Sequence, residues 1–159
     1  MPQLQKISLF LLRISLGWVF LYAGITKVLD PGWSAAGYLN NAKTLAGIYQ
    51  WFASPNPLPI VNFINEWGLT LLGISLILGV FVRLSSIFGI ALMLLYYFPA
   101  LEFPYIPGAH AFIVDEHIIY AAILFYFTTS RPGRVWGLEN WCSNLPICSK
   151  YPKIREWLG

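Results

Sequence analysis

Three long stretches with almost no charge leave this chain few architectures. Ile7 to Leu29 is interrupted by charge only at Arg13 and Lys27, Ile60 to Val82 only at Glu66, and Leu84 to Pro99 not at all. An α-helix rises about 1.5 Å per residue, so about twenty apolar residues cross a hydrocarbon core of about 30 Å. A fourth stretch, residues 111 to 129, opens with Asp115, Glu116 and His117 and is apolar from Ile118 to Phe127. Charged residues make up only 11% of the chain, against about a quarter in soluble domains. The 17% of aromatic residues suits rings anchored at two headgroup boundaries. The expectation is an all-α integral membrane protein, a single domain over residues 1–159. It forms a four-helix antiparallel bundle with spans at about 7–29, 60–82, 84–100 and 111–129.

The connections carry the helix breakers. Asp30-Pro31-Gly32 stops the first span, and Pro55, Pro57 and Pro59 rule out a continuous helix before the second. Between them, Ala35 to Phe52 sets Tyr38, Leu39, Ile48 and Trp51 among Asn40, Asn41, Lys43 and Gln50, the pattern of an interfacial amphipathic segment. Ser85-Ser86 is expected to cap the third span. Pro104, Pro107 and Gly108 make a turn-rich loop, and the tail over 130–159, with Trp136 and Trp157 beside several cations, is expected to lie on the membrane surface. No small-residue cleavage site follows the first span, so it reads as a retained helix rather than a leader.

Charge sets the orientation. Lys6, Arg13, Arg83, Arg131, Arg134, Lys150, Lys153 and Arg155, eight of the ten basic residues, fall on one side of four alternating spans. By the positive-inside rule both termini are cytoplasmic, in a multi-pass protein of the plasma membrane. Asp30, Glu66, Glu102, Asp115 and Glu116 then gather on the outer side with His110 and His117. No Lys/Arg stripe of the kind that binds nucleic acid is present, so the expected surroundings are lipid.

Ionisable groups inside spans are costly and mark either function or structural pairing. At 100° per residue, Arg13, Gly17, Phe20, Gly24 and Lys27 share one face of the first span. The glycines point to close helix approach, and the two cations either snorkel to the interfaces or line a site. Glu66, Thr70, Gly73 and Ile77 share a face of the second span, placing Glu66 level with Lys27. A Lys27–Glu66 pair would lower the desolvation cost of both, or the cluster would bind a polar head group and move protons as a quinone is reduced or oxidised. His117 shares a face with Tyr120, which makes these two the expected inward pair, and imidazole is the side chain suited to proton transfer near neutral pH. Asp115 or Glu116 is expected to cap the fourth helix.

No motif for a flavin, haem or iron–sulfur cluster is evident. His110, Asp115, His117 and Glu66 have ligand chemistry without a metal-site spacing, so no metal is expected. Cys142 and Cys148, separated by five residues, match neither a redox nor a zinc motif.

Arg13-x3-Gly17-x2-Phe20-x3-Gly24-x2-Lys27, Glu66-Trp67-Gly68 through Gly79-x3-Arg83, Val114-Asp115-Glu116-His117 and Gly133-Arg134-Val135-Trp136-Gly137-Leu138-Glu139 together resemble the DoxX family of small four-helix membrane proteins. The resemblance to that family, whose closest characterised relatives are the DoxD-type subunits of thiosulfate:quinone oxidoreductase, implies a membrane subunit that passes electrons from a reduced sulfur compound to quinone. It also implies a second small subunit; a homo-oligomer is the other arrangement. On this reading Lys27 holds the anionic substrate or a quinone oxygen, and Glu66 and His117 exchange protons. Arg13, Tyr120 and Arg83 complete the substrate- or quinone-binding set. The alternative is a non-catalytic scaffold or assembly subunit, using its notched helices and aromatic rims to hold a partner.

Overall fold

A computed structural model describes residues 1–101 and 113–139, and no strand occurs among them. Its helices are α1 (Gln3–Val28), α2 (Ala36–Asn40), α3 (Ala46–Phe52), α4 (Leu58–Leu78), α5 (Val82–Ala100) and α6 (Glu116–Ser130), followed by a 3-10 turn at Pro132–Arg134. α1, α4 and α5 are each long and apolar enough to cross a membrane. α6 has 15 residues, about 22 Å of helix. The chain is a membrane protein built as a helical bundle.

Local backbone chemistry moves several boundaries from their expected places. α4 ends at Leu78 rather than Val82 because Gly79 turns left-handed at φ 67 and both Gly79 N and Val80 N fold back on the Ser75 carbonyl. Ser85 and Ser86 do not cap α5. Ser85 Oγ instead meets Ser75 Oγ at 2.7 Å, tying the turn between α4 and α5, and Ser86 is buried. α6 begins at Glu116, where Asp115 Oδ1 accepts from Ile118 N at 3.1 Å as the N-cap. The expected start at residue 111 lies outside the described residues, as do His110, Glu102, Cys142 and Cys148. In place of one amphipathic helix, α2 and α3 are separated at Leu45, whose φ of 56 breaks the run. They bury Leu39, Ala42 and Tyr49 in a small core of their own across one end of the bundle.

The spans pack as two pairs, α1 on α4 and α5 on α6, with much slighter contact between α4 and α5. In lipid, helix association depends on close packing because the tails are as apolar as the side chains. The α1–α4 seam meets that demand with glycines. A Cβ on Gly24 would strike the backbone and hydroxyl of Thr70, one on Gly73 would strike the backbone of Leu21, and one on Gly17 would crowd Leu76 and Ile77. These contacts also fix the antiparallel register. Phe20, Leu76, Leu124 and Phe127 fill the centre where the two pairs meet.

At the basic end Arg13 is fully buried, not snorkelling. Its Nη1 donates to the carbonyls of Leu76 at 2.7 Å and Ile77 at 3.2 Å, and Nη2 to those of Val135 at 3.2 Å and Trp136 at 3.4 Å. The last carbonyls of α4 have no intrahelical donor, so a guanidinium is well suited to them. Gly79 leaves the room, since a Cβ there would meet the guanidinium. The start of the tail is therefore tied to the base of the bundle, with Arg134, Trp136 and Leu138 still exposed. Pro132, Gly133 and Glu139 are buried, Leu138 N and Glu139 N donate to Leu78 O and Gly79 O at 3.0 Å each, and Arg134 pairs with Glu139 at 2.8 Å.

Candidate functional site

The opposite end gathers polar and aromatic groups from four elements around Tyr96. The last turn of α1 brings Lys27, whose Nζ donates to Ala23 O at 3.1 Å and lies over the rings of Trp33 at 5.3 Å and Tyr96 at 6.0 Å. Those ring faces are the partners a desolvated cation finds here, a contact worth about 0.5–2 kcal/mol. The expected Lys27–Glu66 pair does not form. Among the described residues Lys27 has no carboxylate partner, because its side chain turns back along its own helix and beneath the rings.

α6 contributes a fixed imidazole. His117 Nδ1 lies 2.5 Å from Asp115 Oδ2, and a carboxylate can only accept, so Nδ1 carries the proton and Nε2 is the exchangeable nitrogen. Asp115 is more than a cap: one oxygen closes the helix start and the other orients the imidazole. The imidazole stacks on Tyr96, with ring centroids 5.6 Å apart and planes 27° from parallel.

Tyr96, near the end of α5, joins these groups to a pocket. Its phenol donates to Asn65 Oδ1 of α4, and its backbone carbonyl accepts from Tyr38 OH at 2.6 Å. Asn65 is buried, and its amide donates to Val61 O at 2.7 Å. Burial, with Asp115 and Tyr49 nearby, pushes the Tyr38 phenol up to about 12, so it stays a hydrogen-bond donor throughout the physiological range. Between α2, α3, α4 and α5 lies a pocket of about 130 Å³ lined by Tyr38, Asn65 and Tyr96 among apolar side chains. A cavity of about 150 Å³ takes a benzene ring. The pocket thus has the size of a small ring, and its surface is mostly apolar, with the Tyr38, Asn65 and Tyr96 polar groups held in the hydrogen bonds just described and one N–H of the Asn65 amide left over.

The residues singled out from sequence divide by position. Lys27 and His117 converge, through Tyr96. Glu66 is half-buried at the same end, level with the last turn of α1, and its carboxylate has no hydrogen-bond or ion-pair partner among the described residues. Tyr120 lies one turn below His117, edge-on to Phe20 at 5.7 Å. Arg13 and Arg83 belong to the far end, with both terminal nitrogens of Arg13 spent on backbone carbonyls. Sequence reasoning missed Trp33, Tyr38, Asn65 and Tyr96. Of these only Tyr38 was named, as part of the amphipathic outer segment, and Asn65 could have been found as an amide near the opening of an apolar span.

No curated protein and no solved structure matches the chain. A family model described as DoxX matches residues 8–100, which hold Lys27, Trp33, Asn65 and Tyr96 and stop short of Asp115 and His117. By that match, the chain is a membrane protein of the DoxX family.

Proposed function

We propose that this chain is the membrane subunit of a quinone-linked oxidoreductase, receiving electrons that originate in thiosulfate or a similar reduced sulfur compound. The observation that carries the reading is the ring-sized pocket walled by Asn65 and Tyr96, with a cation and an oriented imidazole on the same tyrosine. Bound there, quinone supplies the acceptor chemistry, taking up two electrons and two protons. The chain's own groups do the rest. Asn65, through the amide N–H not given to Val61, holds the head by an oxygen while Tyr96 fixes that amide. Lys27, over the Tyr96 ring rather than on the pocket wall, favours negative charge there through the low-dielectric surroundings. His117 Nε2 gives or takes the proton while Asp115 keeps the ring in place. Glu66 exchanges protons with the surface at this end. Electrons arrive from a second small subunit, and the positive-inside rule sets this site at the outer face of the plasma membrane with both termini cytoplasmic.

The scaffold alternative relied on notched helices and aromatic rims, and of those notches Gly17, Gly24 and Gly73 are filled by the α1–α4 contact. The test is thiosulfate-dependent quinone reduction by the protein purified with its native partners. Activity, and its loss in Lys27→Met, is the expected result. Unchanged reduction in the variant removes the Lys27 assignment, and neither activity nor co-extracted quinone overturns the whole reading.

A further inference from the structure

Between α4 and α5 an apolar groove of about 710 Å³ runs from Ile64 and Gly68 to the turn at Val80 and Phe81. Ligand sites commonly measure about 300–1,000 Å³. The groove exists because α4 turns its best-packed face to α1 and α5 turns its own to α6, which leaves the two adjoining helices apart along most of their length. Its walls are exposed: Leu71 is 59% accessible and Phe88 69%. Ile64, Leu92 and Leu95 line both this groove and the ring-sized pocket, so the two adjoin across these side chains. A mostly apolar pocket with Tyr38, Asn65 and Tyr96 at its wall thus lies beside a longer apolar groove whose walls are exposed.

We infer that this groove holds the polyprenyl tail of a quinone whose head sits at Asn65 and Tyr96, and that the substrate enters sideways from the membrane between α4 and α5. The inference rests on the quinone reading above and extends it. A ring-sized pocket with an amide at its wall, adjoining a longer apolar groove, matches the two parts of a molecule with one ring and a long hydrocarbon tail. A phospholipid acyl chain would fit the groove but would bring a phosphate toward a wall of amide and phenol with its nearest cation beyond Tyr96.

The test compares binding of menadione, which has no tail, with that of the same head group carrying a short polyprenyl tail, using the full chain in nanodiscs of constant lipid composition. Gly68→Phe fills the groove, since a Cβ at Gly68 meets nothing closer than Ile64 Cγ2 at 3.8 Å. Phe88→Ala removes an exposed wall without disturbing the core. Gly68→Phe is expected to weaken the tailed quinone by about tenfold or more, and Phe88→Ala by about threefold, with menadione binding unchanged in both. If both ligands bind the native chain and neither variant alters the tailed one, the groove assignment fails and the head-group site stands. If neither ligand binds the native chain, the quinone reading itself fails. A phospholipid that survives delipidation and is not displaced by the tailed quinone makes the groove a lipid site and overturns the inference.

Discussion

At the scale of single residues, Asp115 separates two roles that usually travel together. Asparagine is as good an N-cap as aspartate, so Asp115→Asn keeps the start of α6 and removes the charge that orients His117. The expected outcome is a melting temperature within a few degrees of the native protein together with quinone reduction lowered by about tenfold or more. Parallel thermal melts and turnover measurements check it, and a large stability loss with normal turnover would contradict the assignment. His117→Gln should cost about a hundredfold or more in turnover, the usual range for a lost proton-transfer group. Tyr96 was invisible in the sequence for a physical reason. Tyr-Tyr-Phe at the end of an apolar span reads as an interfacial belt, and only tertiary packing turns one of those rings between an imidazole and a cation.

Among the elements, the α1–α4 seam is the contact that the amino-acid pattern announced most clearly. Gly17 and Gly24 on one face of α1, and Gly73 on one face of α4, have no other use in an apolar helix, and each meets the partner helix. Gly24→Leu is expected to destabilise the protein by about 1–3 kcal/mol or more, because the obstacle it meets is the Thr70 backbone rather than a movable side chain. Chemical or thermal unfolding in detergent measures this. A variant as stable as the native chain would mean that the seam is looser than described. The spans themselves were legible because a bilayer imposes a minimum run of apolar residues. Their ends were not, because Gly79 and Phe81 decide them by backbone conformation. The division of the outer connection into α2 and α3 was equally hidden, since it turns on one left-handed leucine.

For the whole molecule, the expectation of four antiparallel spans puts both ends of the chain on one side, and the positive-inside rule makes that side the cytoplasmic one. Cys142 and Cys148 are the only thiols, so an impermeant maleimide should label the protein in inverted vesicles and not in intact cells. Labelling of intact cells would reverse the orientation. The role of Arg13 could not be read from residue types at all, because all four of its acceptors are backbone carbonyls. Arg13→Met should destabilise the bundle by on the order of 3 kcal/mol and speed hydrogen exchange at the Leu138 and Glu139 amides.

The same guanidinium sets an order on how the protein is made. Arg13 enters the membrane in α1, ahead of α4, α5 and α6, and a lone charge there is unfavourable. Its first acceptors, Leu76 and Ile77, come with α4, and its last, Val135 and Trp136, only after the fourth helix has left the ribosome. Assembly therefore closes from the C-terminal side: a nascent chain ending before residue 135 has its spans but not its lock, and should be the form that membrane quality control removes.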